Sequence, residues 1–582
     1  MQERIDELTL AIVGATMRQA CYDMRHVVER TAQSYLMGQL HDLSVGIYDR
    51  DGRTIAIPIG IAVHFMSGGF SIRTILRKFG DDIEEGDVFL SNEPFRGGYA
   101  CHLPDWAFIR PVFVDGELLF WTLVRGHQSD TGGSFPGGYY PGSYDVHAEG
   151  LCIPPMKVVQ RGFPNEELWE LIYNNVRWPD KMRIDHRSMM GACGLGERRL
   201  IETVEKYGTS TVLSSVDELM DRTQAAVADA ISKIPDGTYY GSASTDDDGD
   251  QLDEPVTIRC TMVVDSDRIM LDFSDSDSVR RGFINAVWTT TFANAIAAAA
   301  LVMDPELGDL HNEGTIRQID VRTKPGTVVD ADYPLPHMAS PVAVGIPVME
   351  AVLQACAQAL PERAIAAAGR HRTPLIFGKD PRNHGEGYFF PTFNTVGSLG
   401  AVEGFDGYTG AVILHARGAI TRGSIEEEEV RFPWRVKKWE FATDMMGAGK
   451  YRGGLGIYHE MVHEGDDGYL ATGAYDGDTV EGHGVLGGQP TRPHRTWIQR
   501  GSERMRVKSH RLQKLNPGDV LIHVSSGGGG AGDPRERPRD KVLADLRDGM
   551  VSPEAARDIY GLTEAELGVR QRQSGGPAIV DS

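Results

Sequence analysis

The stretch HLPDWAFIRPVFVDGELLFWTLVRGHQSD, His102–Asp130, decides how this chain is read. Two apolar arms flank Asp115-Gly116, and an Asp-Gly pair between such arms signals a tight hairpin, because its central residues accept a left-handed backbone. A hairpin returns the chain antiparallel, so His127 can lie beside His102 although 25 positions separate them. Each end also carries a carboxylate, Asp105 at one and Asp130 at the other. Two imidazoles with carboxylate oxygens suit Zn²⁺, Mn²⁺ or Fe²⁺. A metal so held lowers the pKa of a bound water or polarises a carbonyl. The same residues also fit plain surface or loop positions, and residue types alone leave both readings open.

Working outward, SVGIYDRDGRTIAI predicts a second hairpin around Asp51-Gly52. Residues 1–40 read as one long amphipathic helix, and His41 to about Arg125 as short strands and turns. Residues 126–155 form a Gly/Tyr/Pro loop in which Tyr139, Tyr140 and Tyr144 can wall a pocket, or simply lie at the surface. There His147 and Glu149 alternate with Val146 and Ala148. Helical spacing follows at Asn165–Val176, Asp185–Tyr207 and Val216–Ile234, strands at Gly237–Asp275, and buried helices at Val287–Val302 and Pro347–Ala359. Residues 365–535 are strand- and loop-rich. The charged tail from Arg535 contains SPEAARDIYGL, with Ser552 placed to cap a helix. Strands are segregated from helices rather than alternating with them, so the expected fold class is α+β and multi-lobed. The expected regions are an N-terminal strand-rich metal-site region (1–235), a central α+β region (236–365), a β-rich region (366–535) and a charged helical tail (536–582).

Composition narrows the function classes. Lys and Arg number 59 against 82 Asp and Glu, a net charge of −23. That acidity disfavours nucleic-acid and anionic-membrane partners. No run of about 18 apolar residues appears, and the best candidate, Thr291–Met303, is too short to span a bilayer. The N-terminus lacks the basic, apolar and small-residue zones of a signal peptide. Six cysteines without a CxxC pair fit reduced thiols and a cytoplasmic location. Glycine is the outlier, at 68 residues. It concentrates at Gly97-Gly98, Gly132–Gly142, Gly447–Gly456 and Gly527–Gly532, and the first two clusters flank His102 and His127.

Other motifs are weaker. GxxxxGK[ST] and GxSxG are absent, so neither a Walker-type ATP site nor a serine nucleophile elbow is expected. Gly449–Gly454 lacks a strand–turn–helix context. Gly527–Gly530 reads as a tight chain reversal. Asp246–Asp250 resembles part of an EF-hand loop but lacks the glutamate at position twelve, so it reads as a solvated turn.

Several pieces, in order, nevertheless resemble one family. They are Gly86-Asp87-Val88, Asn92-Glu93-Pro94-Phe95-Arg96-Gly97-Gly98, His102-Leu103-Pro104-Asp105, His127-Gln128-Ser129-Asp130-Thr131-Gly132-Gly133, Glu149-Gly150 and Asp272-Phe273-Ser274. They continue with Asn285-Ala286, His311-Asn312-Glu313-Gly314, Gly447–Gly454, Gly527–Pro534 and Asp548–Gly561. Together they resemble the hydantoinase B/5-oxoprolinase family, which includes caprolactamase-like proteins and the large subunits of acetone and acetophenone carboxylases.

The resemblance implies a metal-bearing B-type subunit of a hetero-oligomer. A hydantoinase A-type ATPase partner would use ATP and Mg²⁺ to phosphorylate the carbonyl oxygen of a small-molecule substrate. The B-type subunit would complete either the opening of a cyclic amide or, in the carboxylase branch, carboxylation with bicarbonate. A non-catalytic structural subunit is the third possibility. The ligand set implied is Asp42, His102, Asp105 and His127. Read from the residues themselves, Asp130 or Glu149 is the candidate proton-transfer group. HQSDTGG and the tyrosine-rich loop lean toward the carboxylase branch. Two departures stand out. The family's NDPY reads Asn92-Glu93-Pro94-Phe95, and the segment before HLPD is two residues longer. That places Cys101 beside His102, where a thiol can compete as a ligand.

Overall fold

The computed structural model describes residues 5–568 apart from 58–59, 304–306, 308–311, 412 and 417–418. His311, the last fourteen residues of the expected tail and the first four of the expected N-terminal helix lie outside the described residues. Helices and strands are mixed and partly segregated, an α+β fold with four sheets among the described residues.

The first sheet is built around the His102–Asp130 hairpin. It contains β1 (Leu43–Asp49), β2 (Thr54–Ala56), β3 (Val88–Ser91), β4 (Asp105–Val114), β5 (Glu117–His127), β6 (Met156–Gln160) and β7 (Phe163–Pro164), in the order β2-β1-β5-β4-β3-β6-β7. The β4–β5 turn sits on Asp115 and Gly116, both at positive φ (51° and 81°), as its residue types require. Along β4, Trp106 and Phe108 point to one face while Ala107 and Ile109 point to the other. Along β5, Phe120 and Val124 alternate with Trp121 and Leu123 in the same way. With both faces apolar, both must be covered. One packs on helices Glu7–Thr31 and Pro179–Tyr207 through Met17, Met24 and Met189. The other packs on helix Gly68–Phe79 through Ile72 and Ile75.

That last helix departs from the expectation of strands and turns over residues 41–125. Its two opening glycines are poor helix formers, and only packing against Tyr48 and Trp121 selects the conformation. The N-terminal helix is also shorter than predicted. It ends at Thr31, because Asp185 accepts hydrogen bonds from the backbone of Gln33 (2.6 Å) and Ser34 (3.2 Å) and draws the chain out of the helix. Within the expected loop 126–155, His147 and Glu149 lie in a short helix, Val146–Glu149.

The second sheet holds β8 (Gly237–Thr245), β9 (Val256–Asp265), β10 (Arg268–Asp272) and β11 (Ile319–Arg322), with β10 and β11 parallel. Its inner face packs on helices Trp288–Val302 and Gly345–Ala359. Among the described residues, the longest apolar helical stretch is Ser340–Ala359, not Thr291–Met303. It is long and apolar enough to cross a membrane, but it is 83% buried inside the protein. Two further sheets join β12 (Leu375–Asp380), β13 (Glu386–Pro391), β16 (Gly468–Ala471) and β19 (Leu512–Leu515), and β14 (Trp434–Ala442), β15 (Gly456–His463), β17 (Arg495–Arg500), β18 (Glu503–Arg506) and β20 (Val520–Val524). One hydrophobic core runs continuously from Tyr35 to Leu521 through three of the four sheets and both buried helices.

The tail docks through Val542, Val551, Ala556 and Tyr560 onto Met446 and Leu455. Ser552 caps helix Pro553–Asp558, its hydroxyl accepting from the Ala555 N–H at 3.1 Å.

Two sequence expectations reverse here. Gly527–Gly530 is not a chain reversal but buried extended backbone threaded between neighbouring segments. A Cβ on Gly528 would fall 2.0 Å from the Leu399 carbonyl oxygen, and one on Gly453 only 1.8 Å from that of Gly528. Gly528→Ala is therefore expected to cost about 3 kcal/mol by overpacking. Gly191→Ala, in a helix with open space around it, should be neutral or stabilise by roughly 0.5 kcal/mol. Denaturant melts of both variants check the contrast. Likewise, Asp246, Asp247 and Asp248 are not a solvated turn but buried. Asp246 accepts from the backbone N–H groups of Asp478, Thr479 and Val480 at 2.8–2.9 Å. Burial opposes its ionisation, yet these donors outweigh it and hold the carboxyl below the ordinary range.

Candidate metal centre

The hairpin register sets the centre. Asp105 opens β4 directly opposite His127, the last residue of β5. On the other side of β5, Leu43 pairs with Gly126, so Asp42 arrives next to His127, whose N–H donates to the Asp42 carbonyl at 3.1 Å. His41, with φ 58°, occupies the left-handed region as the chain turns into Asp42. His102 comes from the turn that leads into β4, closed by the Asp105 N–H to the His102 carbonyl.

The four residues named from sequence thus converge. The Asp105 carboxylate lies 3.0 Å from His102 Nε2 and 3.5 Å from His127 Nδ1, and Asp42 Oδ2 is 3.8 Å from that same Nδ1. Ligand atoms of His102, Asp105 and His127 all fall within 4.8 Å of one another. Asp105 is fully buried, and its Oδ1 has no hydrogen-bond partner among the described residues. Such an oxygen is costly unless something electropositive meets it. Burial would raise the Asp105 carboxyl, but the His102 and His64 imidazoles outweigh it and hold it well below the usual range. Asp42 is pushed up by burial, only partly offset by His127.

Tautomer and orientation are also fixed. His102 Nδ1 lies 3.0 Å from the Met338 carbonyl. A carbonyl only accepts, so Nδ1 carries a hydrogen, and the ring is held with Nε2 facing Asp105. The donor set of two imidazoles and two carboxylates, with one carboxylate oxygen orphaned, fits a divalent Zn²⁺, Mn²⁺ or Fe²⁺ ion.

Sequence reasoning missed His64. It sits in the short helix Ala62–Phe65, and its Nε2 is 3.1 Å from Asp105 Oδ2. No spacing rule pointed to it, because it reaches the centre through a segment outside the β4–β5 hairpin. Cys101 does approach, with Sγ 2.8 Å from Asp105 Oδ2. Burial first, and the Asp105 charge second, push its thiol well above the ordinary range, so it stands as a donor to Asp105 rather than as a thiolate.

Asp130 and Glu149 are held elsewhere. Asp130 is paired with the Arg177 guanidinium (2.7 Å) and accepts from the Arg177 N–H (2.6 Å), which fastens the segment just after His127. Glu149 Oε1 accepts from the backbone N–H groups of His337 and Met338, both at 2.9 Å. The departure at Glu93 also finds its place. Its carboxylate accepts from the Phe95 N–H at 2.6 Å and caps the turn, while Asn92 Nδ2 ties the Leu103 and Leu151 carbonyls together at 2.8 Å each.

Asp42, His64, His102, Asp105 and His127 all line one cavity. Tyr139 also lines it, its ring stacked 6.5 Å from that of His127. Of the other loop tyrosines, Tyr144 is exposed, and neither it nor Tyr140 lines this cavity. Asp130 and Glu149 do not line it either.

A model of the hydantoinase B/oxoprolinase family matches residues 6–534. The chain belongs to this family. Within it, the chain is 32% identical over 566 residues to the beta chain of the caprolactamase of Pseudomonas jessenii, covering 96% of each. It is 28% identical to the B-type subunit of a putative D-/L-hydantoinase from Pseudomonas sp. (strain NS671), again over 96% of each. To the acetophenone carboxylase delta subunit of Aromatoleum aromaticum it is 25% identical, over 90% of this chain and 81% of that one. The crystal structure of the ATP-dependent caprolactamase from P. jessenii superposes with a TM-score of 0.88 at 30% identity, covering 97% of this chain and 98% of that one. These family relatives are ATP-dependent hydrolases and carboxylases, several of them named as subunits.

Proposed function

We propose that this chain is the metal-bearing B-type subunit of an ATP-dependent cyclic-amide hydrolase of the hydantoinase, oxoprolinase or lactamase type. It would act on a ring whose carbonyl oxygen has been phosphorylated by an A-type ATPase subunit. The observation that carries this reading is the two-histidine, two-carboxylate cluster on the lining of a cavity. A working metal site keeps a side toward substrate, and all four of these residues lie on the cavity lining. Amide resonance makes the ring carbonyl a poor electrophile, and phosphorylating its oxygen removes that resonance. A divalent metal bound here would supply positive charge to acidify a water for attack on the activated carbon.

The chain's own residues do the rest. His102 Nε2, His127 and the carboxylates of Asp105 and Asp42 would hold the ion. The Met338 carbonyl fixes the His102 tautomer, and Tyr139 walls the cavity beside both imidazoles. Asp130 fastens the chain after His127, which assigns it positioning rather than proton transfer. Ketone carboxylation with bicarbonate is the second reading, because Tyr139, from the loop that resembles that branch, is among the lining residues.

The two readings separate in one assay. The complex of this chain with its ATPase partner is expected to open a lactam or hydantoin with ATP and without bicarbonate. Consumption of a ketone that requires bicarbonate, with no ring opening, would overturn the hydrolase reading.

A further inference from the structure

The Asp105 carboxylate has more neighbours than hydrogen bonding explains. His102 Nε2, His64 Nε2 and Cys101 Sγ stand 3.0, 3.1 and 2.8 Å from Oδ2. That is three groups on one oxygen, which offers two lone pairs. Oδ1 faces His127 Nδ1 at 3.5 Å, and Asp42 reaches that same nitrogen. The two oxygens therefore look toward different sets of side chains. Asp42 and His127 gather on the Oδ1 side, whereas His64 and Cys101 stand at Oδ2 and have no part in the four-residue ligand set.

His64, Cys101 and Asp105 form a trio of their own. Their ligand atoms all lie within 4.8 Å of one another, and each residue is at most 3% exposed. Both new members are pinned by their backbones. The His64 carbonyl accepts from the buried Arg125 guanidinium at 3.1 Å, and the Cys101 carbonyl accepts from the Ser340 hydroxyl at 2.5 Å. Imidazole, thiolate and carboxylate are donors that zinc takes at about 2.0–2.3 Å, so the ligand atoms of one tetrahedral ion lie roughly 3.3–3.6 Å apart. Small rotations of the Cys101 and His64 side chains open that spacing. One ion held by all six residues would keep no side toward the cavity, but two ions sharing Asp105 would.

We infer that this chain holds a second divalent ion of the zinc class on His64 Nε2, Cys101 Sγ and Asp105 Oδ2, with Asp105 bridging through Oδ1 to the ion of the main centre. Carboxylate-bridged pairs of this kind hold their ions about 3.5–4 Å apart. The Cys101 thiol keeps its hydrogen until a cation meets it, and a divalent ion deprotonates a coordinating thiol outright. A soft thiolate selects zinc-like ions over magnesium or manganese. Cys101 belongs to the stretch before HLPD that departs from the family pattern, so the second ion is a property of this chain and not of the family's centre. Two divalent ions outweigh the charges of Asp42, Asp105 and the thiolate, the more so with Arg125 close to Asp105. The pair therefore favours an anionic ligand in the cavity.

The test counts zinc in the purified full chain by elemental analysis after loading and dialysis. The unaltered chain should hold about two ions, and Cys101→Ala and His64→Ala about one each, with the main centre still filled. Thermal melts check that both variants fold. Loading with Co²⁺ reads the thiolate directly, and in the unaltered chain: a near-ultraviolet thiolate-to-cobalt charge-transfer band is expected, and Cys101→Ala should lose it. A single ion per chain would overturn the inference, with the band or without it, because the band would then make Cys101 a ligand of the main ion. Two ions that persist in folded Cys101→Ala with no band in the unaltered chain would place the second ion elsewhere and also overturn it. None of these outcomes depends on whether a ring is opened or a ketone consumed, so the inference stands or falls apart from the hydrolase reading.

Discussion

Asp105→Asn is expected to abolish stoichiometric metal loading and to lower the ring-opening rate of the complex by roughly 10³-fold or more, the loss of about 4 kcal/mol of charge stabilisation. The geometry makes Asp105 the hub of the centre. Its two oxygens face His102, His64, Cys101 and His127 within 2.8–3.5 Å. An amide has the same shape, so the β4–β5 register and the cavity should persist. What changes is the charge: the negative oxygen facing the imidazoles becomes an amide whose N–H₂ points at groups that would otherwise hold a cation. The measurement is metal content by elemental analysis after dialysis, with a thermal melt of the chelator-treated protein as the control for folding. Full metal occupancy in a folded Asp105→Asn protein would remove the proposed centre. His127→Ala should behave similarly but less completely, because it deletes one neutral donor and leaves both carboxylates in place.

The centre was legible in the sequence to the extent that one hairpin defines it. Asp115-Gly116 sets the turn, the turn sets the register, and the register places Asp105 opposite His127. His102 follows because only two residues and a tight turn separate it from Asp105. Asp42 is different. Its approach depends on β1 pairing with β5, a contact across more than eighty positions that no local pattern specifies, and it was reached only through family resemblance. His64 and the cavity wall lay beyond both routes. They come from segments as distant as Leu375 and Ile420, assembled by a core whose order is tertiary. The errors share a cause. Helix Gly68–Phe79, the threaded Gly527–Gly530 and the buried Asp246–Asp248 all contradict local propensity because packing partners far away in sequence decide them. Glycine-rich and Asp-rich runs look like turns until something is packed against them.

Glu149 is where sequence and structure suggest different chemistry, and its conservative variant tells them apart. Read as a proton-transfer group, it should lose most of the rate on substitution by glutamine while metal affinity stays unchanged. The structure instead shows a carboxylate that does not line the cavity, with Oε1 accepting from the N–H groups of both His337 and Met338. Those two hydrogen bonds hold the chain at the residue whose carbonyl fixes the tautomer and tilt of His102. Glutamine keeps a carbonyl oxygen in the Oε1 position. Burial already pushes the Glu149 carboxyl well above the ordinary range, so an uncharged side chain there is no great change. Glu149→Gln should therefore retain metal affinity and most of the activity. Glu149→Ala removes the acceptor, leaves two buried N–H groups unpaired and releases the Met338 carbonyl from its register. It is expected to weaken metal binding by about 10–100-fold, the range seen when a group supporting a metal-bound histidine is lost. It should also destabilise the fold by roughly 2–4 kcal/mol. Chelator competition measures the first and a denaturant melt the second. A Gln variant that binds metal normally but has lost its rate would return Glu149 to acid–base chemistry. A Gln variant that works beside an Ala variant that cannot hold metal makes it the residue that positions His102 from two steps away.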